Sequence, residues 1–492
     1  MKPSDQSREN KAPRQAQSRR DFLWRSGGGL GGIALAGMLG RDGALANTGS
    51  SRQPIGLHHA PKAKRVIQLF MGGAASHVDL FDYKPELIKR HDEKWDPGET
   101  VELFQSSPGK TFKSPWEWSQ YGQCGKPLTS IVSELSQCVD DIAFVHNVVG
   151  KTGVHSQATY LQATGFQRPG FPGMGAWVSY GLGSLNDNLP TFVVLPDHRG
   201  YASNGPKNWS SAFLPASHQG TTLFPGRANP IADLHPPKES FVTSKSEVAT
   251  QSLLAKFNRE HAASREADSR LDARIKSYEL AARMQTSVPE VVDFAAETKS
   301  TIASYGLEGS VTSDCGHRCL LARRLLERGV RFVQLYSGGA FGGSPRHGWD
   351  GHENNYVNHA REAMRIDQPV AALLKDLKQR GLLHDTLLLF TSEFGRTPFA
   401  HAPRGVMALG RDHNPRGFTS WLAGAGLRTG MSFGATDEVG WKSVVNPVSW
   451  PDFHATVLHL MGLNHERLTY YHNGIERRLT NVHGSVISEL FT

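Results

Sequence analysis

Arg65-Val66-Ile67-Gln68-Leu69-Phe70-Met71, followed at once by Gly72-Gly73, is the stretch on which the fold turns. It is a nearly continuous apolar run of strand length that ends in a turn signal, which reads as a strand buried on both faces. Strands of this kind belong to parallel sheets covered by helices on each side. The same pattern recurs down the chain at 142–145, 192–196, 330–336, 386–391 and 420–425. Helical patterns fall between these runs, at 156–163, 173–183, 315–328 (ended by Gly329), 355–380 (stopped by Gly381) and 454–462, with Asp452 as the expected cap. The alternation predicts an α/β fold, a mainly parallel sheet with helices on both faces.

Working outward, residues 128–138 also look helical, and 252–285 read as a charged, solvent-facing helical pair. The stretches 84–128 and 197–245 are irregular. A single domain over 64–492 is therefore expected, with insertions near 84–128 and 197–300, preceded by an extended lead at 47–63.

The amino terminus has a different character. Ser18-Arg19-Arg20-Asp21-Phe22-Leu23 opens an apolar, glycine-rich run to about Leu39, closed by Ala44-Leu45-Ala46. A basic lead, a short apolar core and a small-residue cleavage site make residues 1–46 a secretory signal, and the arginine pair resembles the twin-arginine type. The expected location is periplasmic or extracellular. The apolar run is shorter than the ~20 residues a membrane span requires.

The chain has 492 residues and a formal net charge of +8. The first 46 residues hold eight basic and four acidic side chains, half of that excess, which leaves a weakly basic remainder. The remaining basic residues are dispersed without aromatic interleaving, so nucleic-acid binding is not expected. Gly109-Lys110-Thr111 and Gly150-Lys151-Thr152 lack the leading glycine of a phosphate loop. There is no G-x-S-x-G elbow, and His352-Glu353 does not continue to a second zincin histidine. Cys124, Cys138, Cys315 and Cys319 allow three pairings in an oxidising compartment, but the 315/319 spacing fits a buried helix better than a zinc site.

In parallel sheets chemistry sits beyond the carboxyl ends of the strands. There the chain places His77, Asp79 and Asp82 after the first strand, His155 and Ser156 after the second, and His347, Asp350 and His352 after 330–336. Glu393 and Arg396 follow 386–391, and Arg411, His413 and Arg416 precede 420–425. Carboxylates mixed with imidazoles suit a divalent metal (zinc, manganese, magnesium or calcium). The arginines suit an anionic group.

Several strings are specific enough to carry a resemblance: Gly72-Gly73 with Asp79-Leu80-Phe81-Asp82, Cys319-Leu320-Leu321-Ala322-Arg323-Arg324, Glu393-Phe394-Gly395-Arg396-Thr397-Pro398, Gly410-Arg411-Asp412-His413-Asn414-Pro415, and Leu468-Thr469-Tyr470 with Asn473-Gly474. On these the chain resembles the domain-of-unknown-function family 1501, secreted bacterial proteins abundant in planctomycetes. The resemblance implies a fold like the alkaline-phosphatase and sulfatase superfamily, whose members hydrolyse phosphate or sulfate esters at a metal cluster. It implies Asp79, Asp350, His352, Glu393 and His413 as metal ligands, with Glu393-Phe394 standing where an Asp-His pair is usual. Ser156, at a helix start, is the implied nucleophile beside His155, with Arg396 and Arg411 for the substrate anion. An anionic ester or polysaccharide is the implied substrate. The alternative is a non-catalytic exported binding or assembly protein with a degenerate site, partnered by secreted cytochrome-like proteins.

Overall fold

The computed structural model describes residues 55–99, 101, 103, 107–225, 227, 230–231, 243–263, 269–339, 348–402 and 408–491. The expected signal at 1–46 and the first part of the lead, 47–54, lie outside them, as does His347.

Nine strands form the central sheet: β1 (Arg65–Met71), β2 (Ile142–Val149), β3 (Phe192–Leu195), β4 (Thr221–Thr222), β5 (Phe332–Ser337), β6 (Thr386–Thr391), β7 (Phe418–Gly424), β8 (Met431–Phe433) and β9 (Val448–Ser449). Their order is β8-β2-β7-β6-β1-β5-β3-β4, with β9 alongside β2. β1 lies at the centre, parallel to both β5 and β6. β7 alone runs against its neighbours β6 and β2. Because β7 is reversed, the loop before it reaches the same sheet edge as the loops after β1, β2, β5 and β6.

The alternation of β1 shows why the sheet is covered twice. Ile67, Leu69 and Met71 enter one core with the helices Ser313–Glu327 and Asn355–Gln379. Val66 and Phe70 enter the other with the helices His155–Thr164, Met174–Leu182 and Trp450–Leu460. Each fully buried aliphatic side chain in these layers contributes about 1.5–3 kcal/mol. The one uncharged polar residue of the strand is also buried. Gln68 faces Gln334 of β5 in register, accepts from its amide at 3.2 Å and donates to Thr391 Oγ1 of β6 at 3.2 Å. Gln162 of the overlying helix donates to the same hydroxyl. Pairing of this kind removes the cost of an unsatisfied amide in the core.

Several expected elements differ. The region 84–128 is not irregular throughout: it holds a helix at Pro85–Lys89, a strand at Ser107–Thr111 and a hairpin, Trp118–Tyr121 with Lys126–Thr129. Residues 128–138 do not form one helix, but two 3-10 turns, Ser130–Val132 and Leu135–Asp141. The Asp367 carboxylate takes the amides of Glu134 and Leu135, the donors that a continuous helix would have tied to carbonyls four residues back. The charged pair is longer than expected, at Ser244–Ala263 and Ser269–Val292. The cap of the last helix is Ser449, not Asp452, which instead completes a capping box from the third helical position. All four cysteines are free thiols; Cys138, Cys315 and Cys319 are buried and Cys124 is exposed. Among the described residues no helix is long and apolar enough to cross a membrane.

Candidate metal centre

Five segments meet beyond the carboxyl end of β1. Gly72-Gly73 turns the chain away from the sheet, with Gly73 at φ +103°. A Cβ there would stand 2.7 Å from the amide nitrogen of Asp350, and Trp349 N donates to Gly72 O at 3.0 Å. The glycine thus lets the Trp349-Asp350 backbone lie directly against β1. Glu393 arrives from the end of β6, and His155 is the first residue of the helix after β2. The strands Gly395–Ala402 and Arg411–Asn414 pair antiparallel, with Arg396 opposite His413.

These segments bring four nitrogens onto one oxygen. Asp350 Oδ1 lies 2.6 Å from Arg396 Nη2, 2.9 Å from His352 Nε2, and 3.3 Å from both His155 Nε2 and His413 Nε2. The His352 and His413 Nε2 atoms are 2.9 Å apart. Burial works to raise the Asp350 pKa, but the Arg396 charge, with hydrogen bonds from His155 and His352, overcomes it and holds the carboxylate far below its usual range. Burial likewise pushes His413 down to about 3 and lowers His352. For His155 burial is outweighed by bonds to Asp350 and Glu393, which raise its pKa.

Second contacts orient each imidazole. His413 Nδ1 is 2.6 Å from Gly153 O, an atom that can only accept, so Nδ1 carries the proton and the Nε2 lone pair points at Asp350. His155 Nδ1 donates to Glu393 Oε1 at 2.8 Å, and that oxygen also accepts from Gly73 N at 2.8 Å. A carboxylate behind a histidine is the usual support of a metal ligand. Beyond His352 lies a further group, with His401 Nδ1 at 3.4 Å and Asp412 Oδ1 at 4.0 Å from its Nδ1.

The donor set fits a divalent ion. His155, Asp350 and His413 each present an atom within 4.8 Å of the others, as do His352, His401 and Asp412. Ligands at the 2.0–2.1 Å of a tetrahedral zinc site stand about 3.3 Å from one another. The 2.9–3.3 Å separations among Asp350 Oδ1 and the imidazole nitrogens match that edge.

Of the expected site residues, His155, Asp350, His352, Glu393, Arg396 and His413 are brought together here. Glu393 supports His155 rather than offering an oxygen to the centre. Asp79 stands apart: its two oxygens are closed on Arg411 at 2.7 and 2.9 Å, and Oδ2 also accepts from Ser76 Oγ and Asn355 Nδ2. The Arg411 charge holds it ionised against the effect of burial. Arg396 and Arg411, expected beside a substrate anion, are fully buried and turned inward. Arg396 also donates to Gly73 O and Ala74 O, and Arg411 to Thr397 O. Ser156 lies at the second helical position, next to His155, in a helix capped by Val154. His77 bonds Gly440 O outside the cluster.

His401 and Asp412 were not singled out from sequence. Asp412 adjoins His413 in a strand, where neighbours point to opposite faces. Both still reach the site because His352 stands between the two groups.

No curated protein matches the chain. Among solved structures it is similar to Ps i-CgsB in complex with k-i-k-neocarrahexaose, at 9% identity over 81% of this chain and 72% of that one, with a TM-score of 0.35. It is similar to alkaline phosphatase from the Antarctic bacterium TAB5 at 12% identity over 82% and 99%, TM-score 0.34. It is also similar to the phosphonate monoester hydrolase SpPMH from Silicibacter pomeroyi at 11% identity over 67% and 68%, TM-score 0.31. Similarity at this level carries no argument about the reaction. The family described as "Protein of unknown function (DUF1501)" matches residues 63–491, and the chain belongs to it.

Proposed function

We propose that this protein is an exported, divalent-metal-dependent hydrolase of phosphate or sulfate esters. The observation that carries the reading is His413. Its tautomer, set by the Gly153 carbonyl, directs a lone pair at the carboxylate oxygen of Asp350 across 3.3 Å. Two electron-rich atoms held this way offer a divalent ion a pair of ligands.

His155, Asp350, His352 and His413 would hold the ion, with His401 and Asp412 available beside His352. A divalent ion there supplies Lewis-acid polarisation of an ester oxygen and brings the pKa of a water toward neutrality. The chain's own residues do the rest. Arg396 fixes Asp350, Glu393 fixes His155, and Arg411 locks Asp79 behind them. With both guanidiniums turned inward, the substrate anion is left to the cation itself. The signal-like amino terminus supports export to the periplasm or beyond.

The inward arginines also favour a second reading, a metal-binding exported assembly or binding protein without turnover. A panel of phosphate and sulfate monoesters, tested on protein loaded with zinc, manganese, magnesium or calcium, separates the two. The hydrolase reading expects turnover that chelation abolishes and that falls about 100-fold or more in His413→Ala. Full metal occupancy with no turnover on any ester would leave the assembly reading.

A further inference from the structure

At the β8 edge of the central sheet, β8 pairs with β2 and sets Ser432 beside Phe144 in register. The hairpin of Trp118–Tyr121 with Lys126–Thr129 brings Lys126, the first residue of its second strand, against both. Lys126 Nζ is 2.5 Å from His146 Nε2 on β2, donates to Ser432 Oγ at 2.9 Å and stands 4.5 Å from the centre of the Phe144 ring. An ammonium can only donate, so His146 Nε2 is the acceptor and the imidazole proton sits on Nδ1, 2.9 Å from Thr419 Oγ1. His146 is buried, Lys126 half-buried and Ser432 exposed, so the amine stands where the core meets solvent.

A lysine held this deeply is ordinarily half of an ion pair. The buried carboxylate of this corner, Asp82, is instead closed by Lys84 Nζ at 3.1 Å and by the Thr436 hydroxyl, and lies 3.8 Å from His146 Nδ1. Among the described residues Lys126 has no carboxylate partner, and both of its hydrogen-bond partners are neutral, since burial pushes His146 down to about 3. An ammonium so placed loses solvation without gaining a counter-ion, which favours the neutral amine. Burial pushes Lys126 down to about 8; Lys84 acts in the same sense, and Asp82 and Cys124 act against it. None of these residues belongs to the metal centre, and the ester chemistry does not use them.

We propose that Lys126 is a nucleophilic amine that captures a small aldehyde as a Schiff base, a covalent site independent of the metal centre. The neutral amine has its two N–H bonds for His146 Nε2 and Ser432 Oγ, which leaves the lone pair for an electrophile. That pair attacks the aldehyde carbon, the carbonyl π pair moves to oxygen, and a proton passes from nitrogen to that oxygen. A second proton, the one the ammonium gave to solvent, then carries the oxygen away as water while the C=N bond forms. The net change is ammonium plus aldehyde to protonated imine plus water. The product keeps one N–H for His146 Nε2 and its positive charge over the Phe144 ring, where an acyl donor would leave a neutral amide.

The full chain, treated with one equivalent of propanal and sodium cyanoborohydride, tests this by peptide mass spectrometry. At pH 7.5 the propyl adduct should form about tenfold faster at Lys126 than at the exposed Lys151. The ratio should fall as the pH rises from 7 to about 10, because ordinary lysine amines gain reactivity only as they lose their proton near 10.4. Ser432→Asp, at an exposed position, sets a carboxylate beside Nζ and should bring the ratio down about tenfold. A ratio of one or less at pH 7.5, a ratio that does not change with pH, or a wild-type ratio in Ser432→Asp would overturn the proposal.

Discussion

At the residue scale the proposed centre depends on atoms that would not themselves touch an ion. Glu393 holds His155 through a single oxygen that also receives the Gly73 amide. Replacing it by glutamine keeps the size but removes the charge that supports the imidazole. Glu393→Gln should weaken zinc affinity about 10–100-fold, measured by competition with a chromogenic chelator, with little change in secondary structure by circular dichroism. The chemistry of these residues was readable from their types and positions: imidazoles and carboxylates collect at strand ends, and most of those named from sequence do meet. Their division of labour was not readable. Asp79 and Arg411 are separated by more than 300 residues, and nothing in local spacing announces that they close on each other. The same holds for Glu393, whose role depends on which imidazole the fold sets beside it.

The sheet edge is the element that assembles the centre, and Gly73 is its tightest point. An alanine there would be strained at φ +103° and would drive its Cβ into the Asp350 and Trp349 amides. Gly73→Ala should lower stability by about 2 kcal/mol or more in urea unfolding and should displace Asp350, with a matching loss of bound metal. The elements themselves were largely legible. β1 and β6 have the bounds their apolar runs suggest, and the long helix Asn355–Gln379 ends where Gly381 stops it. The antiparallel course of β7 was not legible, since a buried apolar strand reads alike in either direction. Nor were the strands Gly395–Ala402 and Arg411–Asn414, which lack the continuous apolar run of the central strands and pair with each other outside the main sheet.

For the whole molecule, buried neutral histidines set the response to acid. Burial pushes His146 down to about 3 and His218 and His454 down to about 4. In the unfolded chain these groups titrate near 6.5, so below that pH the unfolded state takes up protons that the native state refuses. Stability therefore falls as pH drops from 7 to 5. Asp367, raised to about 6 by burial, and His155, raised by Asp350 and Glu393 against burial, oppose this. His454, which donates to Gln162 O at 2.7 Å, is far from the metal ligands in sequence and isolates the effect. In His454→Gln the loss of unfolding free energy between pH 7 and pH 5 should shrink by about 2 kcal/mol, read from urea midpoints at the two pH values. The histidine content, more than the net charge, is what distinguishes this chain: it supplies both the acid sensitivity of the core and the donors of the centre.

The central claim is that His155, Asp350, His352 and His413 hold a divalent ion. X-ray absorption at the zinc edge of the zinc-loaded full chain tests it most directly. The account predicts one tightly held zinc per chain with three imidazoles and one carboxylate oxygen at about 2.0–2.1 Å, and one imidazole fewer in His413→Ala. Zinc lost on dialysis, or a first shell of oxygens with no imidazole signature, would contradict it.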